Sequence, residues 1–267
     1  MSGTVTALVV SYQTGPRLVE CLYALKGDPG VTGIVIADNG NPQTTEDWLD
    51  TFVAATPKAQ LIRLPNPGFG AGVNAAARLA DTDFLLVINP DCVIRRGSLA
   101  SLIEALERAP APAIAGGRIF DLSGREERGA RRKTLTLPRA LGLQRWTMET
   151  EPPPPGPIRV GAITGAFFLM RKEDFNTQGG FDEGYFLHVE DVDLCRRANE
   201  AGGSVIYVPD AGALHYGATS DVSSEVVTAH KAKSLARYFR KFARGPVERV
   251  LVELAVPFIG LALKLRG

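Results

Sequence analysis

The sequence predicts an α/β fold: a mostly parallel central sheet with helices on both faces. Three observations carry that prediction. Apolar, β-branched runs alternate with helical stretches five times. The runs are continuous in their apolar character, as strands buried on both faces are. Each of the first four ends on polar or glycine-rich residues, where open α/β sheets bind ligands.

The elements follow in order. TVTALVVS (4–11) reads as a first strand, and PRLVECLYALKG as a helix with Pro16 suited to its first turn. GIVIAD (33–38) reads as a second strand, residues 44–56 as a helix, and QLIRLP (60–65) as a third strand. NPGFGAGVNAAARLA (66–80) is a glycine-rich turn entering a helix. DFLLVINPD (83–91) is a fourth strand, SLASLIEALERA (98–109) a helix, and AIAGGRIF (113–120) a fifth strand. Residues 121–157 break the rhythm with a charged stretch, GREERGARRK, and a stiff EPPPPGP segment. They read as a long mobile loop. Its Arg125, Arg128, Arg131, Arg132 and Lys133 either meet phosphates or simply face solvent. HVEDVDLCRRANEAGG (188–203) reads as a helix with an acidic first turn, which its dipole favours. SVIYVP (204–209) and ALHY (213–216) read as two short strands.

Composition excludes several classes. Of 267 residues, 45% are apolar and 22% charged, which is globular composition. Thirty basic against 29 acidic residues argue against a dedicated nucleic-acid binder. Three distant cysteines, Cys21, Cys92 and Cys195, make no zinc pattern and suit a reducing compartment. The first apolar run lacks a basic leader, and no run reaches the roughly 18 residues of a spanning helix. A cytoplasmic location is expected.

The four strand exits hold Ser11–Tyr12, Asp38–Asn39, Asn66–Gly72 and Asn89–Asp91. Together they favour a polar ligand. Gly70-x-Gly72-x-x-Ala75 fits the loose dinucleotide fingerprint, which makes a nicotinamide-dependent oxidoreductase a competitor. The fingerprint, however, follows the third strand of its unit, not the first. Asp91, just past an apolar strand, suits a divalent cation that neutralises a diphosphate. Asp38 suits the N–H of a base, or else an Asx-turn. Glu190-Asp191-x-Asp193 packs three carboxylates into one helical turn, where one with a raised pKa would suit a general base. Phe181, Tyr185 and Phe186 line an acceptor pocket or belong to the core. His215 is a neutral imidazole ligand or a structural residue.

The blocks VVSYQTGPRLVECLYAL, IADNG, NPGFGAGVNAA, NPD, GAFFLMRKEDFNTQGGFDEGYFLHVEDVDLCRRANEAG and HYGATS, in that order, closely resemble family 2 glycosyltransferases, above all their rhamnosyltransferase-like branch. The resemblance covers about residues 5–245. It implies a GT-A nucleotide-diphospho-sugar transferase fold and inversion at the anomeric carbon. It also implies a nucleotide-diphosphate sugar as donor, dTDP-rhamnose or a UDP-sugar. Ser11, Tyr12 and Asp38 then match nucleotide-contacting positions, and Asn66, Gly70, Gly72 and Asn74 the nucleotide loop. Asp91 matches the last Asp of the metal-binding D-x-D, for Mg²⁺ or Mn²⁺, and His215 a position at the metal or diphosphate. Asp191 matches the catalytic base, beside Glu190. Asn89 replaces the first Asp of D-x-D, so it is expected at the ribose or a water. That replacement is the only support for a catalytically silent binding module.

The expected organisation is a catalytic domain over 1–222, with a nucleotide-binding half to about 120 and an acceptor-binding half from about 121. Basic, amphipathic helices follow over 223–267. From 224 onward nine basic residues face three acidic ones, a surplus of six, so residues 1–223 carry a deficit of five against the chain's +1. In the last helix Val250, Leu251, Leu254, Phe258, Leu261 and Leu265 share one face. Arg249, Glu253, Gly260 and Lys264 share the other. Such a helix suits an anionic membrane surface on the inner face of the cell membrane and a glycan or polyprenyl-linked acceptor. The alternative is a core-packing or homodimer-forming helix pair.

Overall fold

The computed structural model describes residues 3–217 and 224–264. Ala218, Thr219 and Ser220 of the HYGATS block, and Leu265 and Arg266 of the tail, lie outside the described residues.

The chain begins β1 (Val5–Ser11), α1 (Arg17–Gly27), β2 (Gly33–Asp38), α2 (Gln43–Ala54), β3 (Ala59–Arg63), α3 (Phe69–Leu79) and β4 (Phe84–Ile88). It continues β5 (Cys92–Ile94), α4 (Ser98–Glu107), β6 (Ala113–Phe120), β7 (Arg131–Arg132), α5 (Leu137–Ala140), β8 (Ile158–Arg159) and β9 (Ala162–Ile163). It ends β10 (Phe167–Arg171), α6 (Lys172–Thr177), α7 (Glu190–Glu200), β11 (Ser204–His215), α8 (Ser224–Phe242) and α9 (Gly245–Lys264). Every residue of β1 and of β4 is buried, so both faces of the sheet are covered there. The main sheet runs β3-β2-β1-β4-β10-β6-β11-β5, with β8 added beside β11.

Four features depart from the sequence reading. The sheet is mixed: β10 lies antiparallel between β4 and β6. Its run FFLMR is apolar throughout, and apolar patterning carries no information about strand sense. The two short strands expected at 204–209 and 213–216 are one strand, β11, with a register shift between Val208 and Gly212. Gly212 is required there, because a Cβ would lie 2.5 Å from the Arg118 carbonyl oxygen. The helix expected from 188 starts at Glu190, because His188 and Val189 adopt φ of 66° and 73°. A left-handed β-branched Val189 is strained backbone, of the kind that collects at functional sites.

The fourth departure is the 121–157 segment, which is packed down and not an open loop. Its β7 pairs with β9, and Trp146 Nε1 donates to the Lys133 carbonyl at 2.7 Å. Arg131 is 2% exposed: Nε and Nη2 donate to Glu126 at 2.9 and 3.0 Å, and Nη2 also to the Glu151 carbonyl at 2.5 Å. Two of the five cations in that stretch, Arg131 and Arg132, are therefore interior residues.

The helical tail shares the core of the body: Leu235, Tyr238 and Phe239 of α8 belong to its buried apolar cluster. Lys241 reaches Asp182 and Asp193 at 2.7 Å each, and Ser234 Oγ donates to the Leu187 carbonyl at 2.9 Å.

The Arg131–Glu126 pair makes a direct test of the folded insert. Arg131→Ala leaves a carboxylate uncompensated in the interior and should lower unfolding stability by about 3–5 kcal/mol in urea titration. The double change Arg131→Met with Glu126→Leu should recover most of that loss. A single variant as stable as wild type would mean the segment does not fold as described.

Candidate active site

The registers of β1, β2 and β3 align Ser11 with Asp38 and Asp38 with Arg63, so one edge of the sheet gathers the first three exits. Asp38 is 1% exposed. Its Oδ1 accepts from the amides of Gly40 and Asn41 at 3.0 Å and from Asn41 Nδ2 at 2.7 Å, closing the Asx-turn. Its Oδ2 is buried without a hydrogen-bond partner, with Arg63 Nε at 3.9 Å. The turn therefore uses one oxygen and leaves a buried acceptor at the strand exit, as an N–H donor on a ligand requires. Ser11 Oγ donates to Asn41 Oδ1 at 3.1 Å. Tyr12 flanks Gly40, where an added Cβ would sit 3.8 Å from the ring. Asn66, at φ 51°, completes this corner: its Oδ1 accepts from Asn39 Nδ2 at 3.5 Å.

The glycines of the next turn serve close packing. A Cβ on Gly70 would lie 2.9 Å from Phe181 Cβ, and one on Gly72 3.0 Å from Val10 Cγ1. Asn74 Nδ2 donates to the Phe181 carbonyl at 2.9 Å and its Oδ1 accepts from the Phe181 amide at 2.9 Å. These three residues bring α3 against β1 and the loop before α7. The spacing that mimicked a dinucleotide fingerprint is thus accounted for by packing. Phe181 and Tyr185 are core residues, whereas Phe186 is 40% exposed and stacks on His230.

The antiparallel β10 builds the centre of the site. Because Phe167 pairs with Ile88, the amino end of β10 meets the carboxyl end of β4. The Asn89 amide donates to the Ala166 carbonyl at 2.9 Å. The neighbouring Gly165 amide donates to Asp191 Oδ2 at 2.9 Å, and Arg132 Nη2 donates to the same oxygen at 2.5 Å. On the other side, β11 runs antiparallel to β5 with His215 opposite Cys92. That register sets His215 Nε2 3.2 Å from Asp91 Oδ1. His215 Nδ1 lies 2.9 Å from Glu127 Oε1. Asn89, Glu190, Asp191 and His215 all line one cleft of about 270 Å³. So Asp191 and His215 line a shared space, and Asp91 stands behind His215, although 100 residues separate the two aspartates.

The three carboxylates of the acidic turn occupy three environments. Asp193 is fully buried and spent on Arg197 Nε at 2.6 Å, Lys241 Nζ at 2.7 Å and the Tyr185 hydroxyl at 3.1 Å. Asp191 is held by Gly165 and Arg132. Glu190 is buried with Oε2 lacking a partner, and burial, followed by the charge of Asp191, pushes its carboxyl well above the usual range. Burial lowers the His215 imidazole, but its hydrogen bonds to the Asp91 and Glu127 carboxylates outweigh that and bring it up to about 10. Burial drops His188, on the cleft wall, to about 4, so it is a neutral imidazole at pH 7.

Asp91, Cys92 and His215 offer ligand atoms within 4.8 Å of one another. Burial raises the Cys92 thiol well above its ordinary range, which leaves the carboxylate and, on loss of its proton to an incoming ion, the imidazole as donors. An O,N pair fits Mn²⁺, and Mg²⁺ less closely. Glu127 stands where a metal-bound imidazole's second N–H is usually held by a carboxylate. Sequence reading offered Arg132 only as a phosphate contact or a solvent-facing cation, and it missed Glu127, Gly165 and His188. Glu127 lay in the same charged stretch as Arg132.

The raised Glu190 carboxyl has a stability consequence. It stays protonated in the folded chain while the unfolded chain ionises it near pH 4.3, so the native state binds more protons and stability falls as pH rises through the folded value. Glu190→Gln should flatten the decline in Tm measured between about pH 5 and 9. His215, also raised, contributes a decline of the same sign to both proteins and cancels in the comparison. Parallel curves for the two proteins would rule out a raised Glu190.

Comparison with known proteins follows this geometry. A family model described as Glycosyl transferase family 2 matches residues 6–178. An N-acetylglucosaminyl-diphospho-decaprenol L-rhamnosyltransferase of Mycobacterium tuberculosis is 30% identical over 260 residues, 87% of this chain and 83% of that protein. The rhamnosyltransferase WbbL of Escherichia coli K12 is 30% identical over 162 residues, 56% of this chain and 61% of that protein. Among solved structures, GalNAc-T7 with UDP, GalNAc and Mn²⁺ aligns with a TM-score of 0.69 at 17% identity. It covers 89% of this chain, which spans 48% of that one. The mannosyltransferase PcManGT from Pyrobaculum calidifontis, with GDP-Man and Mn²⁺, aligns at 0.64 and 16% identity over 98% of this chain and 74% of that one. These two establish the GT-A fold, and none of the comparisons favours an oxidoreductase. The chain belongs to glycosyl transferase family 2, and is a nucleotide-sugar-dependent glycosyltransferase of polysaccharide synthesis.

Proposed function

We propose that this chain is an inverting transferase that moves a sugar from dTDP-rhamnose or a UDP-sugar to a hydroxyl of a lipid-linked glycan. The supporting observation is that Asp191 and His215, the latter 3.2 Å from Asp91, line one small cleft. The acceptor oxygen attacks the anomeric carbon as the bond to the donor diphosphate breaks, and Asp191 takes the hydroxyl proton. Glu190, protonated at neutral pH, donates a hydrogen bond to a sugar hydroxyl. Asp38 Oδ2 takes the N–H of the base, with Ser11, Tyr12 and Asn66 around it. Gly70, Gly72 and Asn74 hold the loop that shapes this corner, and Asn89 meets the ribose. Asp91 and His215 would hold the Mg²⁺ or Mn²⁺, which supplies positive charge to the leaving diphosphate. The acceptor class is supported by the mycobacterial relative, whose name specifies a diphospho-decaprenol substrate.

No helix among the described residues is long and apolar enough to cross a membrane. In α9, Val247, Leu254 and Phe258 are 72%, 64% and 60% exposed, and Val250, Leu251 and Leu261 continue that stripe. Arg240 and Arg244 lie near it, engaged with Glu253 and Glu200. An apolar stripe in a tail of net positive charge suits the inner membrane face, where a lipid-linked acceptor resides.

Asp191→Asn should cut sugar transfer by about 10²–10⁴-fold and leave the thermal shift produced by nucleotide diphosphate and Mn²⁺ intact. Asp91→Asn should abolish that Mn²⁺-dependent shift. Wild-type turnover in the Asp191 variant would sink the base assignment. Full-length protein should also co-sediment with anionic phosphatidylglycerol vesicles, and Leu254→Asp with Phe258→Asp should release it. A salt-stable homodimer that ignores vesicles and is broken by the same changes would assign the stripe to self-association.

A further inference from the structure

A second cavity, of about 710 Å³, adjoins the catalytic cleft. Arg132, Trp146, Lys231 and Leu235 line both. Its walls come from the folded 128–147 segment, from α8 and, through Leu263, from α9. Among the described residues that line it, five are cationic (Arg128, Arg132, Arg139, Arg145 and Lys231) and none is acidic. Leu135, Leu235, Leu263 and Trp146 supply apolar surface beside them. Arg132 and Arg139 each bury an Nε–H that has no hydrogen-bond partner. Unsatisfied buried donors of this kind call for an acceptor. Arg128 and Arg145 share the one carboxylate of Glu149, at 3.6 and 3.2 Å, so the cluster keeps a surplus of positive charge, and the donor's diphosphate is already provided for by the Asp91–His215 pair proposed above.

We infer that this cavity docks the diphosphate of an amphiphilic acceptor, with the start of its apolar chain against Leu135 and Leu263. The inference rests on the acceptor class proposed above and adds where that acceptor's anionic group binds. Guanidinium forks match phosphate oxygens bidentately, so several arginines around one diphosphate give both affinity and orientation. The shared Arg132, Trp146 and Lys231 then place the sugar beyond the diphosphate at the cleft that holds Asp191. α9 joins the two needs: it contributes Leu263 to the wall and carries the exposed apolar stripe.

Calorimetric titration with farnesyl diphosphate, farnesol and inorganic pyrophosphate tests the site. Wild-type protein should bind farnesyl diphosphate at least about tenfold more tightly than either fragment molecule. Arg139→Gln with Arg145→Gln should weaken that binding about tenfold or more, and so should Arg128→Gln alone, whose side chain is 82% exposed and whose loss leaves Glu149 paired with Arg145. The thermal shift with Mn²⁺ and UDP or dTDP should be unchanged in both, which separates this anion site from the donor's. Unchanged farnesyl diphosphate binding in both variants would overturn the site. Arginine-dependent binding without sugar transfer to any diphosphate-linked lipid would overturn the acceptor class proposed above and leave the anion site standing.

Discussion

The site depends on one contact, the Gly165 amide donating to Asp191 Oδ2. It exists because β10 enters the sheet antiparallel, which sets its amino end beside the carboxyl end of β4. The same two-residue stretch, Gly165–Ala166, touches Asp191 through one amide and Asn89 through the next carbonyl. Two adjacent backbone groups therefore fix both sides of the cleft, one on the Asn89 main chain and one on the Asp191 carboxylate. A larger residue at 165 would press on this contact: a Cβ would lie 3.3 Å from Asp191 Cβ, so the carboxylate side chain would have to shift by a few tenths of an ångström. The left-handed His188 and Val189 turn α7 so that its first residues meet this contact. Strain there is tolerated because α7 is anchored through Asp193 to Arg197 and to Lys241 of α8.

Charge is distributed by the same logic. One helical turn carries an acid kept neutral by burial, a carboxylate bound to a guanidinium, and a fully buried carboxylate that ties the tail to the body. Across the cleft, His215 sits between Asp91 and Glu127, at 3.2 and 2.9 Å. The neighbouring cationic cavity joins the cleft through Arg132, which also binds Asp191.

Much of this was legible in the sequence. Continuous apolar runs marked β1 to β4 and β6, and the polar residues after them marked the binding edge, because parallel strands must be buried and their exits must not be. Asp91, Asp191 and His215 were each identifiable as chemistry-bearing types at element ends. The sense of β10 was not legible, since FFLMR reads the same in either direction. The merging of two strands into β11 was hidden by a bulge at Gly212, whose cause is the approach of Arg118's carbonyl. The charged 121–157 segment misled most. Composition suggests a solvated loop, yet Arg131 is paid back by Glu126 and Arg132 by Asp191, partners that only the tertiary structure reveals. Glu127 was invisible for the same reason: its partner His215 is 88 residues away.

The central claim is that a cation bound by Asp91 and His215 and a base at Asp191 share one cleft. The most direct test is diffraction at the manganese absorption edge from crystals grown with Mn²⁺ and a nucleoside diphosphate. The account predicts one anomalous peak in coordination contact with Asp91 and His215, with the diphosphate reaching into the cleft that Asp191 lines. A peak held by other residues, or a diphosphate bound away from Asp191, would contradict it.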